Sequence, residues 1–584
     1  MALRLFLCKG IIGPIIVVVL ACVAQAGGRS SGVLTEQGYR AAQAVLEYYG
    51  PGAAASKVYI GSEACLACHP TYEGWRRSLH ATGVKILKND QYSLKVKDGV
   101  VADYDSNGVD DFKQGLDFNK ITSAFNAYKP NAPILSYDPA KGYQMKIGQV
   151  TFNVYATHGG TGMYKHRYLI KLPVTDRPNG LSAGTYYSPV QYNEATWQYV
   201  TYSPQYWYDS SNQPKIKGPM TSKEAAAVGK SWDKDCSGCH VTGMSLSKDS
   251  LGEYVAVAAP VVYADPEDPH YFDLNYGGTK NAWNIGCERC HGPGSQHVTG
   301  LGQPDKIINP AKLTAMQQNQ ICGSCHSRGT SKGQGIHEFP WDEARNVGYA
   351  DDIGGDLYKY FVDKDGRWPD KSESRQHHQQ FQNFMKSAKW EFEFHKVTCS
   401  ECHDPHTSVP KYIRTKMTVD SQSGGKLEIP VKVADNSLCL ACHAGFGPFA
   451  PLKREDIQDV TKNRPMIAAV VSAHTRHSYE PERKVGLSRC TECHMAKVAI
   501  TAVGYDISTH TFQVIKPEQT LATQKDGGMP NSCAVRCHRP MAPLWGLSED
   551  KSATNWTESS DQELALFLQV FYGPEGLWWK TKKP

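Results

Sequence analysis

Seven times in a chain of 584 residues, two cysteines stand three positions apart and a histidine follows the second directly. The copies are Cys65-Cys68-His69, Cys236-Cys239-His240, Cys287-Cys290-His291, Cys322-Cys325-His326, Cys399-Cys402-His403, Cys439-Cys442-His443 and Cys490-Cys493-His494. An eighth stretch, "SCAVRCH", separates Cys533 from Cys537 by one residue more before His538. Disulfides, zinc and covalent haem all use paired cysteines, but they differ in what they ask of the histidine. Disulfide geometry needs none, and zinc sites place histidine at spacings of their own. Histidine fills 21 of 584 positions, so chance would put one after a given second cysteine about once in 28 cases. In the haem reading every element has work to do. The thiols add to the two vinyl groups as thioethers, and the histidine lies under the ring as axial ligand to iron. In the eighth stretch the extra residue adds at most about 3.5 Å of chain, which a bulge absorbs. The competing reading there is a disulfide between Cys533 and Cys537. The count expected is eight covalent haems.

The second axial position decides what such irons can do. A protein histidine there leaves only electron exchange, whereas an open position admits small molecules. Beyond the eight motif histidines, the candidates for this position are His80, His297, His395, His406, His510, His474, His477, His377, His378, His158 and His337. His406 lies three residues past His403, too near to reach over the same ring, and is expected to serve a neighbour. His297 follows a Gly-Pro-Gly turn that swings it away from its own motif in the same manner. One member each of His377/His378 and His474/His477 is expected to ligate. His158 and His337 are balanced between ligation and packing in a loop. His166 and His270 are read as surface residues.

These side chains need a scaffold, and the composition restricts its kind. Hydrophobic residues make up 40% of the chain, with 52 Gly and 33 Pro. That suits short helices and loops packed on prosthetic groups more than a large aliphatic core. The fold class expected is a mostly α and irregular haem-packed multihaem cytochrome c fold with an inserted β-rich subdomain. A formal charge of +5, dispersed along the chain, excludes nucleic acid as a partner. Residues 1–26 read as a signal peptide, with Arg4 and Lys9 before an apolar run and Ala24-Gln25-Ala26 at the cleavage point. Lipidation at Cys22 is the competing reading. Residues 27–83 hold an N-terminal helix and the first haem site, 84–231 the haem-free insert, 232–540 seven haems, and 541–584 a tail with one helix. In the insert, "YQMKIGQVTFNVYAT" alternates apolar and polar residues around a turn near Gly148, and tyrosines are frequent. Asp103, Asp105, Asn107 and Asp111 match four ligand positions of a calcium loop whose twelfth position is Gln114, with Asp117 as a substitute carboxylate.

The segments "YIGSEACLACHPTYEGWRRSLH", "IGCERCHGPGSQHV", "CGSCHSRG" and "CTECHMAKVA" resemble the bacterial multihaem c-type cytochrome superfamily. That superfamily includes the tetrahaem cytochrome of ammonia oxidisers, pentahaem nitrite reductase, and octahaem hydroxylamine oxidoreductase and tetrathionate reductase. The resemblance implies that His80, His297 and His510 are distal ligands and that haems stack in parallel and perpendicular pairs. It stops short of the tyrosine-rich insert, and no CxxCK motif of the nitrite reductase type is present. The leading functional expectation is an exported octahaem cytochrome, periplasmic or extracellular, passing electrons along bis-histidine haems. Its expected partners are redox proteins such as other cytochromes or quinol-linked membrane complexes, with association at the outer membrane. One alternative is an oxidoreductase of small nitrogen or sulfur compounds at one five-coordinate haem, with Lys165 or Arg539 attracting the anion. Another is a subunit of a haem filament joined through the β insert. No catalytic residue is assigned.

Overall fold

The computed structural model describes residues 35–86, 103–159, 165–194, 196–264, 271, 274, 280–364, 366–387, 396–482, 488–501, 506–533, 565–566 and 568–570. The signal segment, His270, His395, Cys537, His538, Arg539 and most of the tail lie outside them.

Alternation builds the largest sheet. It comprises β1 (Val84–Ile86), β2 (Ile134–Asp138), β3 (Gly142–Ile147), β4 (Val150–Gly159), β5 (Lys165–Ile170), β6 (Tyr186–Asn193), β7 (Gln198–Thr201) and β8 (Lys230–Ser231). All pairings are antiparallel in the order β2-β3-β4-β5-β6-β7, with β1 also on β4 and β8 on β6. The β3–β4 hairpin closes over two residues, and Gly148 takes the φ of +58° that such a tight turn requires. Burial alternates along β3, as its sequence alternates, whereas all eight residues of β6 are buried. Phe112, Phe118, Leu135, Met145, Tyr168, Tyr192 and Trp207 form the core on one face. β4 is the pivotal strand. Its first half pairs with β3 and its second half with β5 and β1, which carries His158 to a position between Val84 and Arg167.

Outside this sheet the chain folds as short helices and hairpins. α1 (Glu36–Tyr49) is capped by Thr35 and buries Gly38, Ala41, Ala42 and Val45, an i, i+3, i+4, i+7 stripe. A Cβ at Gly38 would stand 2.5 Å from Cys68 Sγ, so only glycine lets the helix lie this close to the first motif. The other motif segments are α2 (Ser62–Leu66), α3 (Ser237–His240), α4 (Glu288–His291), α5 (Ala315–Gly323), α6 (Cys399–Cys402), α7 (Ser437–His443) and, after α8 (Arg464–Thr475), α9 (Cys490–His494). No helix among the described residues is long and apolar enough to cross a membrane.

Candidate haem-binding cavity

Residues i, i+3 and i+4 share one face of a helix, so a helical Cys-x-x-Cys-His presents two thiols and an imidazole to the same side. The backbone makes this turn in the motifs. His69, His291, His326 and His403 each donate their N–H to the carbonyl of the first cysteine of their motif, at 2.9–3.1 Å. The cysteines of the first six motifs, and Cys490, form no disulfide.

These faces converge on one continuous cavity of about 2580 Å³. Ordinary ligand sites measure about 300–1,000 Å³. Both thiols and the histidine of each of the first six motifs line it, and Thr491 and Glu492 of the seventh reach its edge.

Histidines face one another in a recurring geometry, four of the pairs within the cavity lining and the fifth, His474 and His494, outside it. Ring centres are 6.3 Å apart for His69 and His297, 6.5 Å for His80 and His326, and 6.2 Å for His291 and His406. They are 6.3 Å apart for both His403–His510 and His474–His494. An imidazole nitrogen bonds a metal at about 2.0 Å, with the ring centre about 1.1 Å behind it, so two axial imidazoles on one iron hold their centres about 6 Å apart. The residues present therefore fit haem iron between each pair. The ring orientation is fixed as a ligand's would be. His291 Nδ1 pairs with the Ile308 carbonyl, His403 Nδ1 with that of Lys411, His494 Nδ1 with that of Phe512, and His297 Nδ1 with that of Gln303, at 2.8–3.0 Å. His406 Nδ1 uses the Asp404 carboxylate at 2.9 Å. Holding Nδ1 in this way leaves Nε2 to the metal. Burial also pushes His80 down to about 3 and His510 to about 4, which keeps both rings neutral, as ligation requires.

The second motif is arranged differently. His158 stands with its ring centre 4.0 Å from that of His240, and its Nε2 lies 3.2 Å from His240 Nδ1, so the two rings are joined by a hydrogen bond. The Tyr187 hydroxyl meets His158 Nδ1 on the other side. Lys165, Arg167, His377 and His378 line the same part of the cavity, with Arg167 stacked 3.5 Å from the ring centre of Tyr202. Burial and then Arg167 hold Lys165 well below the usual lysine range. His378 takes a φ of +61°, an uncommon backbone for a non-glycine residue.

Other candidates have other surroundings. His477 Nδ1 pairs with the Thr475 carbonyl beside His474. His337 is packed against Phe339 and Tyr254 and bonded to the Lys234 carbonyl, an aromatic setting without a facing histidine among the described residues. The surface reading of His166 is corrected: it is fully buried on β5, because it shares the inward face with Tyr168 and Ile170. Asp103, Asp105 and Asp111 bring carboxylate oxygens within 4.8 Å of one another. Asn107 lies beside them, donating to Asp105 and to Gln114. Asp117 is not a substitute ligand, because its carboxylate turns to Asn119 and Lys120 instead.

The thiols also meet one another between motifs. The thiols of Cys65 and Cys287, Cys322 and Cys399, Cys439 and Cys490, and Cys239 and Cys325 lie close enough to perturb one another's ionisation. Cys290 lies within electrostatic reach of Cys322, and Cys402 of Cys439. Ser532 Oγ donates to the Cys493 carbonyl at 2.7 Å, bringing Cys533 next to the seventh motif. The order along this row is 1-3-4-5-6-7, with motif 2 joined to motif 4 at the side.

Comparison with known proteins adds a direction. The protein "Multiheme cytochrome MtrA" of Shewanella baltica (strain OS185) is 27% identical over 163 residues, 27% of this chain and 42% of that one. The chain is similar to a multihaem cytochrome. It spans less than half the length of that curated relative. Among solved structures, the outer cell wall cytochrome OcwA aligns over 85% of both chains at a TM-score of 0.44 and 17% identity. An undecahaem cytochrome from the S-layer of Carboxydothermus ferrireducens aligns over 88% of this chain and 61% of its own at 0.33 and 16%. No family model matches.

Proposed function

We propose that the protein is an exported multihaem c-type cytochrome that carries electrons along a row of bis-histidine haems, exchanging them with other redox proteins in the periplasm or at the cell surface. The observation that carries this reading is the single cavity in which six CxxCH faces meet and four histidine pairs stand at the separation of two axial ligands, with a fifth such pair, His474 and His494, outside its lining. The partial similarity to a multihaem cytochrome supports it. The haem supplies one-electron exchange at iron. The chain supplies the rest. The cysteines would fix each ring by thioethers, and the paired histidines would ligate the iron and so keep substrates off it. Cys533, Cys537 and His538 would hold the eighth group.

A second reading rests on His240. The ring it meets is that of His158, and at 4.0 Å between centres, with a hydrogen bond to His240 Nδ1, the two stand too close to hold an iron between them. Motif 2 is thus the candidate for a five-coordinate haem acting on a small nitrogen or sulfur compound. Arg167 would supply fixed positive charge, and an entering anion would draw a proton back onto Lys165.

The spectrum of the oxidised protein separates the two. The electron-carrier reading predicts wholly low-spin haem with no Soret change on adding nitrite or cyanide. The second reading predicts one high-spin haem that binds the anion and whose response is weakened in Lys165→Ala.

A further inference from the structure

The residue three positions before the first cysteine recurs in one structural role. In "NQIC" it is Asn319, whose Oδ1 accepts the backbone N–H of Cys399 at 2.9 Å while its Nδ2 donates to the Val397 carbonyl at 3.1 Å. In "NSLC" it is Asn436, whose Oδ1 accepts from Cys490 N–H at 2.9 Å while its Nδ2 donates to the Ser488 carbonyl at 2.7 Å. The two clamps are equivalent atom for atom. Each side-chain amide spans the first cysteine of another motif and the residue two before it. In "SEAC" the position is Ser62, whose Oγ accepts from Cys287 N–H at 3.0 Å. A serine cannot span both groups, and there the carbonyl two before Cys287, that of Ile285, takes the Trp75 indole N–H at 3.0 Å. Ser62, Asn319 and Asn436 are all buried.

The pairs so joined are motifs 1 and 3, 4 and 5, and 6 and 7. They are the same pairs in which first cysteine meets first cysteine: Cys65 with Cys287, Cys322 with Cys399, and Cys439 with Cys490. Motif 2 breaks the rule in an informative way. Its residue at this position is Asp233, which accepts from Thr185 and Ala256 N–H groups, so it ties the motif to the β structure and not to another motif. Its thiol contact runs instead between second cysteines, Cys239 and Cys325.

We propose that Ser62, Asn319 and Asn436 are positioning residues that organise the haems as three rigid pairs, and that motif 2 stands outside this pairing. The inference rests on the haem reading above. A ring attached through a cysteine inherits that cysteine's backbone position, and each clamp fixes the backbone of one first cysteine against the helix that carries the other. Losing the acceptor strands a buried N–H, and the relative placement of the two attachment points relaxes to satisfy it.

The test is Asn436→Ala in the full chain, checked for haem number by intact mass. Electronic coupling is then read from the Soret circular-dichroism couplet that closely packed rings produce. The expected result is an unchanged haem number with the couplet reduced by one pair's contribution. Asn436→Ser, which keeps an oxygen where Ser62 has one, is expected to retain it. A fully loaded Asn436→Ala with an unaltered couplet would overturn the proposal, as would an equal loss in Asn436→Ser. Should Asn436→Ala fail to load, Asn436→Ser decides, with a wild-type couplet supporting the clamp and a reduced one overturning it. Failure of the haem reading itself would show earlier, as an unmodified mass in the parent protein.

Discussion

Replacing Cys399 and Cys402 by alanine together is expected to divide the electron row in two. Motif 5 connects the group formed by motifs 1 to 4 with the group beyond it, through Cys322–Cys399 on one side and Cys402–Cys439 on the other. Tunnelling falls exponentially with distance, so removing one ring from the middle widens the gap by the span of a whole motif. After rapid mixing with less than one equivalent of reductant per haem, the parent protein should equilibrate all its haems in a single fast phase. The variant should show two populations that equilibrate orders of magnitude more slowly. A single fast phase in the variant would mean that electrons pass by a route not involving motif 5.

The second large effect concerns the chain without its cofactor. Without haem the walls of the cavity of about 2580 Å³ lose the groups they would pack against. A folded domain holds only about 5–15 kcal/mol in reserve. Haem-bearing segments are also short helices that cannot persist unaided. Produced without haem attachment, residues 232–533 are expected to lack a cooperative thermal transition and to be cleaved rapidly by protease. The sheet of residues 84–231 has its own aromatic core around Phe112, Tyr168 and Trp207, and fragments containing it should outlast the rest. Uniform survival of the unloaded chain would contradict a haem-supported fold.

The cysteine spacing carried most of what could be read beforehand, because i, i+3, i+4 is a local property of a helix. The partner of each motif histidine is not local. His80 faces His326 and His291 faces His406 only because several helices fold back on one another, and nothing near His326 in sequence announces His80. His406 could be excluded from its own motif by chain reach, but its destination could not be derived from reach. Within the insert, alternation was visible in β3, while β6 is buried at every position and so has no alternation to see. The default that placed His166 on the surface failed for a related reason: a polar residue on the inward face of a strand breaks the apolar pattern that would reveal that face. The Asp117 substitution failed because a carboxylate near in sequence was drawn to the amides of its own turn. The Asn-x-x-Cys repeat at Asn319 and Asn436 was present in the sequence, yet its meaning depends on contacts with Cys399 and Cys490 that only the fold creates.

The most direct test of this account is the intact mass of the mature protein under denaturing conditions, where only covalently attached groups survive. The account predicts a mass greater than that of the polypeptide by eight haems, with Cys533→Ala leaving the eighth attachment defective. A mass equal to the bare polypeptide, or to the polypeptide with its cysteines oxidised to disulfides, would contradict it.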